Sequence, residues 1–165
     1  MAFAVLWPRP STQADTTIHK VKPFNIYDGD TFHAMVEGKD EKIRVIGIDT
    51  PEMDDPVFGA EAKQARQFTV SLIEGKTVWL EVDVGAERDQ YGRLLAYVWL
   101  VDPTDMQDKA KQVAQNTLNG RLVAEGYAKS VTYKPNTTYA EVFEGLAKQA
   151  QKDGLGLWPT GVFGK

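Results

Sequence analysis

The sequence predicts an α+β fold, a small twisted antiparallel β-barrel of five strands with three helices packed on it. Three patterns predict it. Short apolar or alternating runs, bounded by Gly, Pro, Asn and Asp, recur over 21–48 and again over 78–101. One stretch with helical spacing, 59–74, separates the two groups. Two further helical patterns follow the last strand. A chain of 165 residues suits one domain, placed here at 18–165. A domain of that length buries roughly 68–70% of its unfolded surface, enough for a core.

Residues 1–17 read as a flexible leader or a residual signal region. Ala2 to Trp7 is apolar, Pro8 and Pro10 break it, and Thr12-Gln13-Ala14 has the small residues of a processing site, but the start is not basic. Val21, Phe24 and Ile26 mark the first strand and Thr31 to Val36 the second, with the turn Asp28-Gly29-Asp30 between them. Gly38-Lys39-Asp40 turns the chain into Ile43 to Ile48, apolar enough to lie inside a sheet. Pro51 stops that strand, and a loop runs from Glu52 to Gly59. Ala65, Phe68, Leu72 and Ile73 form the apolar face of the first helix, with Gly75 as its cap. Val78, Leu80 and Val82 alternate with polar or amphipathic neighbours, and Leu94 to Val101 returns as the other arm of a hairpin. The polar stretch 102–115 looks inserted, and Asp105 to Gln115 suits a helical turn or two. Leu118, Leu122 and Val123 make a short helix ending at Gly126. Ala128 to Tyr133 is extended, and Asn136, Thr137 or Thr138 caps a last helix carrying Tyr139, Val142, Phe143, Leu146 and Ala150.

Composition narrows the chemistry. The chain has no cysteine, which removes disulfides, thiolate nucleophiles and thiolate metal sites. No apolar run approaches the roughly 20 residues of a membrane helix, so no membrane partner is expected. Formal net charge is −4. A broadly basic surface therefore does not supply affinity, and any polyanion must be met by positive charge concentrated locally.

Three short segments carry the candidate chemistry: Asp28-Gly29-Asp30-Thr31, then Arg44 leading into Asp49-Thr50-Pro51-Glu52, then Asp89-Gln90-Tyr91-Gly92-Arg93. Carboxylate and carbonyl oxygens suit a hard divalent cation. Guanidiniums hold phosphate oxygens by paired hydrogen bonds. A cation, a spare carboxylate and two guanidiniums together suit phosphodiester hydrolysis. Each piece has a plainer reading. Asp28-Gly29-Asp30 serves as a tight turn, and Asp49, Thr50 and Glu52 as turn or helix caps. Arg44 in an apolar strand requires either a functional partner or a buried salt bridge, because an unpaired charge there is costly.

In this order and at this separation, the segments resemble the staphylococcal nuclease (thermonuclease) family. The resemblance runs from about Lys20 to Trp158 and extends to Leu95-Ala96-Tyr97 and Tyr133-Lys134-Pro135-Asn136. It implies an OB-fold barrel and a calcium-dependent, sequence-nonspecific nuclease acting on DNA and RNA, with single-stranded or frayed substrate preferred and 3′-phosphate ends as product. It further implies Asp30, Asp49 and the Thr50 carbonyl as Ca²⁺ ligands, and Glu52 as the group that positions or deprotonates water. Arg44 and Arg93 would then be the catalytic arginines, and Tyr91, Tyr133 and Lys134 would line the nucleotide pocket. A cis Lys134–Pro135 bond, a monomer, and a secreted or envelope-associated location, with a cytoplasmic one left open, belong to the same expectation. The alternative is a weak or inactive nucleic-acid-binding module of the same fold.

The sequence departs from the family's best-known member at three places. Gln90 replaces a lysine that contacts a terminal phosphate, Val131 replaces a pocket tyrosine, and the loop after Glu52 carries Asp54 and Asp55 instead of lysine. All three remove positive charge or stacking surface and predict weaker substrate affinity with the chemical step retained.

Overall fold

The computed structural model describes residues 16–164. The leader expected at 1–17 falls almost wholly outside them.

A six-stranded sheet runs in the order β1 (Ile18–Val21), β6 (Val78–Val82), β7 (Leu94–Trp99), β4 (Lys39–Val45), β3 (Thr31–Val36), β2 (Pro23–Phe24). Only Lys22 separates β1 from β2, yet they occupy opposite ends of that order. One broken strand thus joins both edges and nearly closes the sheet into a barrel. β1 pairs with β6 (Ile18 opposite Glu81), and β2 with β3 (Pro23 opposite Ala34). Closure of this kind leaves few unpaired backbone groups at the edges. The expected five strands become six because the first is split. One pairing also departs from the all-antiparallel expectation: β4 and β7 run parallel, with Arg44 opposite Leu95.

The third expected strand ends early. β4 stops at Val45, and the chain resumes as β5 (Ile48–Asp49) in a separate pairing with β8 (Lys129–Ser130). Gly47 causes the break. It sits at φ 78°, and a Cβ there would come within 2.7 Å of the Phe143 ring. Only glycine allows this backbone to turn out of the sheet directly under that ring.

The helices are α1 (Gly59–Ile73), α2 (Lys109–Asn116), α3 (Leu118–Ala124) and α4 (Ala140–Lys152), followed by a 3₁₀ turn over Trp158–Thr160. Four helices replace the expected three, because part of the polar insertion forms α2. Val113 is the residue it buries. Thr117 joins α2 to α3: its hydroxyl donates to the Val113 carbonyl (2.6 Å) and accepts the Gly120 amide (2.9 Å). Gly120 lies so close beneath α2 that a Cβ would be 2.4 Å from the Val113 carbonyl oxygen.

The core is the barrel interior plus the inner faces of the helices, centred on Phe32, Ile43, Leu80, Tyr97, Trp99, Leu122 and Phe143. Two buried acids are fully engaged within it. Glu81 accepts from Trp99 Nε1 (2.6 Å) and the Tyr139 hydroxyl (3.0 Å), and Asp83 accepts from the Tyr97 hydroxyl and the Thr138 amide. These bonds tie the segment entering α4 to strands β6 and β7. Burial, together with these carboxylates, pushes the Tyr97 and Tyr139 phenols well above the usual range.

Candidate active site

The turn Asp28-Gly29-Asp30 is held from three sides. Asp28 accepts the Asp30 amide (3.0 Å), the Thr69 hydroxyl of α1 donates to the Gly29 carbonyl (2.6 Å), and the Val45 amide donates to the Asp30 carbonyl (2.9 Å). Asp28 thus orients the turn. Gly29 is required for a different reason: a Cβ there would lie 2.7 Å from Thr50 Cγ2. The acidic turn and the Asp49-Thr50 segment therefore pack against one another at closest approach.

Asp30 and Asp49 meet on Arg44. The guanidinium contacts Asp30 Oδ2 at 3.1 Å through Nη1 and Asp49 Oδ1 at 3.2 Å through Nη2. Nη1 also reaches the Val45 and Ile48 carbonyls. Arg44 resolves its own oddity: a charge emerging from an apolar strand is paired and hydrogen-bonded, as burial requires. Of the five guanidinium donors, the Nε–H and one Nη2–H have no partner among the described residues. The Thr50 amide donates to Asp30 Oδ2 (3.0 Å) and the Thr31 hydroxyl to Oδ1 (3.0 Å). Thr50 Oγ1 is buried without a hydrogen-bond partner.

The electrostatics of this corner lean negative. Asp28, Asp30, Asp49 and Glu52 cluster here against two cations, Arg44 and, beside Asp49, Lys129. Burial, then the charges of Asp30 and Glu52, push Asp28 up to about 7. Burial and Asp30 raise Asp49, and burial, Asp30 and Asp49 raise Glu52. Glu52 is solvent-exposed and makes no side-chain hydrogen bond among the described residues, so the capping role open to it in the sequence is not taken up. Asp55 does that work, accepting the Val57 and Phe58 amides (2.8 and 2.9 Å) just before α1. Among the described residues, no three His, Cys, Asp or Glu side chains converge as a ready-made metal cage.

Beside the acidic corner lies a cavity of about 360 Å³ lined by Arg44, Arg93, Tyr91, Tyr133 and Lys134, among others. Five of the nine residues singled out from the sequence share this wall. The other four, Asp30, Asp49, Thr50 and Glu52, belong to the corner behind Arg44. Tyr91 and Tyr133 are exposed, and the Arg93 guanidinium lies over the Tyr91 ring, 5.6 Å from its centroid. The Lys134–Pro135 bond is cis, as the resemblance implies.

Asp89, part of the third candidate segment but given no role from the sequence, organises this loop. Its Oδ1 accepts the amides of Tyr91 (2.9 Å) and Arg93 (3.0 Å), and its Oδ2 takes the Arg93 Nε–H (2.6 Å). Burial opposes its charge, but these bonds outweigh it and hold the carboxyl below its ordinary range. Arg93 keeps both Nη groups free of hydrogen-bond partners among the described residues. Its spacing four residues after Asp89 was the available signal. Arg88 and Glu41 were also missed. They form a two-bond ion pair (2.7 and 2.8 Å) that pins this loop to β4.

Barrel, acidic corner and cavity together define a barrel protein with an arginine-lined cavity beside a carboxylate cluster. The chain belongs to the staphylococcal nuclease family: residues 42–160 match the family described as Staphylococcal nuclease homologue. It is 37% identical to the thermonuclease of Staphylococcus hyicus over 139 residues, covering 83% of this chain and 74% of that protein. It is equally identical to the thermonuclease of Staphylococcus intermedius over 135 residues, 81% and 72% of the two chains. Endonuclease YncB of Bacillus subtilis is 34% identical over 137 residues, which span 79% of this chain but 57% of that protein.

Proposed function

We propose that this nuclease is calcium-dependent and sequence-nonspecific, hydrolysing DNA and RNA to 3′-phosphate ends on an OB-type barrel. The observation that carries the reading is the shared position of Arg44: it belongs at once to the acidic corner and to the cavity wall with Arg93. A phosphate entering the cavity meets Arg93 Nη groups on one side and the remaining Arg44 donors on the other. Tyr91 and Tyr133 offer stacking faces that every base can use, so sequence is not read. Lys134 adds charge at the rim.

The residues fit a hard cation. The donors are oxygens only, the corner carries more carboxylate than guanidinium, and Thr50 Oγ1 is an orphaned polar atom beside it. Asp30, Asp49 and the Thr50 carbonyl would hold Ca²⁺, with water and substrate completing the 6–8 oxygens it takes. The bound ion would supply electrostatic stabilisation of a phosphoryl oxygen. Glu52, exposed in the corner behind Arg44 and with its carboxyl raised by burial and by the Asp30 and Asp49 charges, positions or deprotonates the attacking water. Such a base is worth about 10²–10⁴-fold. Arg44 and Arg93 oppose the charge that builds on phosphorus oxygens, and both are preorganised by carboxylates that are already paired.

Among the described residues no helix is long and apolar enough to cross a membrane. A monomer acting outside the cell or at its envelope is part of the same proposal. Digestion of heat-denatured DNA with calcium, with magnesium and with chelator tests it. Cleavage in calcium alone, with 3′-phosphate ends, is expected. Cleavage in chelator would overturn the metal assignment, and binding without cleavage in any metal would leave the binding module.

A further inference from the structure

A second groove, of about 460 Å³, lies off the cleft and is lined by Tyr27, His33, Lys42, Arg66 and Glu74, among others. Its residues are close in sequence and register to the acidic corner. Tyr27 immediately precedes Asp28. Lys42 lies two residues before Arg44 on β4, hence on the same face of the strand and about 7 Å along it. His33 sits opposite Lys42, and Thr31 opposite Arg44. The groove thus continues the line of Arg44 along the barrel surface.

Its chemistry is that of a phosphate and a base. Tyr27 is 57% exposed, with a backbone fixed by the bond from its amide to the Thr31 carbonyl (3.0 Å). The turn before it is set by Asn25 at φ 45°. Lys42 Nζ stands 5.6 Å from the Tyr27 ring centroid, and no carboxylate pairs with it among the described residues. Arg66 gives its Nε–H to the Ile26 carbonyl (2.9 Å), and its Nη groups have no partner among the described residues. The acids nearby are Glu74, on the groove wall, and Asp40, which lies 2.7 Å from His33 Nδ1. On a chain of net charge −4, two cations and an exposed aromatic in one groove form a local concentration of the kind single strands follow.

We infer that this groove is an outer subsite for single-stranded nucleic acid, in which Tyr27 stacks one base while Lys42 and Arg66 take a phosphate beyond the cleavage site. The inference rests on the nuclease reading of the cleft. It makes substrate length a determinant of affinity: a dinucleotide fills the cleft alone, and longer strands gain the groove.

The test compares cleavage of a dinucleotide with cleavage of a single strand of about 12 nucleotides, within the roughly 4–16 that an OB-type surface covers. Lys42→Ala and Tyr27→Ala replace exposed side chains, and thermal melting checks their fold. Each variant is expected to raise KM for the long strand about tenfold, with kcat and dinucleotide cleavage unchanged. Lys42→Ala should also flatten the salt dependence of long-strand KM by about 0.7 in log–log slope. Unchanged long-strand KM in both variants overturns the subsite and leaves the nuclease intact. An equal rise for both substrates also overturns it, because the residues would then belong to the central cleft. A wild-type protein that cleaves neither substrate brings down the nuclease reading, and this one with it.

Discussion

Replacing Asp28 by Asn should stabilise the metal-free protein at neutral pH. Asp28 is 4% exposed, and burial together with Asp30 and Glu52 lifts its carboxyl from 3.8 to about 7. A raised carboxyl favours folding only while it is protonated. Its contribution is complete below pH 3.8 and is lost as the pH climbs through about 7. The span between those values corresponds to about 4 kcal/mol at roughly 1.4 kcal/mol per pH unit. Asn keeps the carbonyl that accepts the Asp30 amide and removes the charge. Urea unfolding in chelator, at about pH 4 and about pH 8 with equal m-values, isolates the effect by difference. The variant should match wild type near the lower pH and exceed it by about 2–4 kcal/mol at the higher. Calcium should narrow that gap, because a cation in the corner offsets the charge Asp28 would otherwise leave unbalanced. A variant no more stable than wild type near pH 8 in chelator would refute the claim that this corner carries excess negative charge.

Other outcomes follow from the same geometry. Arg93→Ala should lower kcat on denatured DNA by on the order of 10²–10³-fold while the melting transition persists, since Asp89 keeps its two backbone donors. Undiminished turnover would remove Arg93 from the site. Gly29→Ala should cost about 1–3 kcal/mol by driving a methyl into Thr50. Thr50→Ser, which deletes the atom met first, should recover part of that cost in a double-mutant cycle read by urea unfolding. Above pH 10 the buried phenols of Tyr97 and Tyr139 must stay protonated in the fold, so stability should fall by about 1.4 kcal/mol per pH unit for each. Tyr139→Phe should roughly halve that alkaline slope, measured by unfolding between about pH 10 and pH 12.

The pieces of this molecule that could be read from the sequence were those written in local periodicity or in residue chemistry too costly to be accidental. Alternation marked β6, and helical spacing marked α1 and α4. Arg44 announced a partner because its strand is otherwise apolar. What escaped was set by distant contacts. The early end of β4 depends on Phe143 pressing on Gly47, nearly a hundred positions away in the chain. The parallel β4–β7 pairing has no local signature. α2 looked like a solvated insertion because a helix that buries little beyond Val113 shows no apolar stripe. At the cleft, the side chains that would touch substrate stood out, whereas the bonds by which Asp89, Arg88 and Glu41 hold that loop in place have no signature in residue type alone.

The split strand at the start of the domain has a consequence for how the protein is made. Ile18 to Phe24 is made before its partner, and β1 cannot find Glu81 and its neighbours until some sixty further residues exist. Until then the nascent polypeptide carries a zipper with one row of teeth missing. A cut or a bulky fusion inside that stretch would leave β3 and β6 as bare rims on adjacent molecules, free to clasp each other instead of closing on themselves.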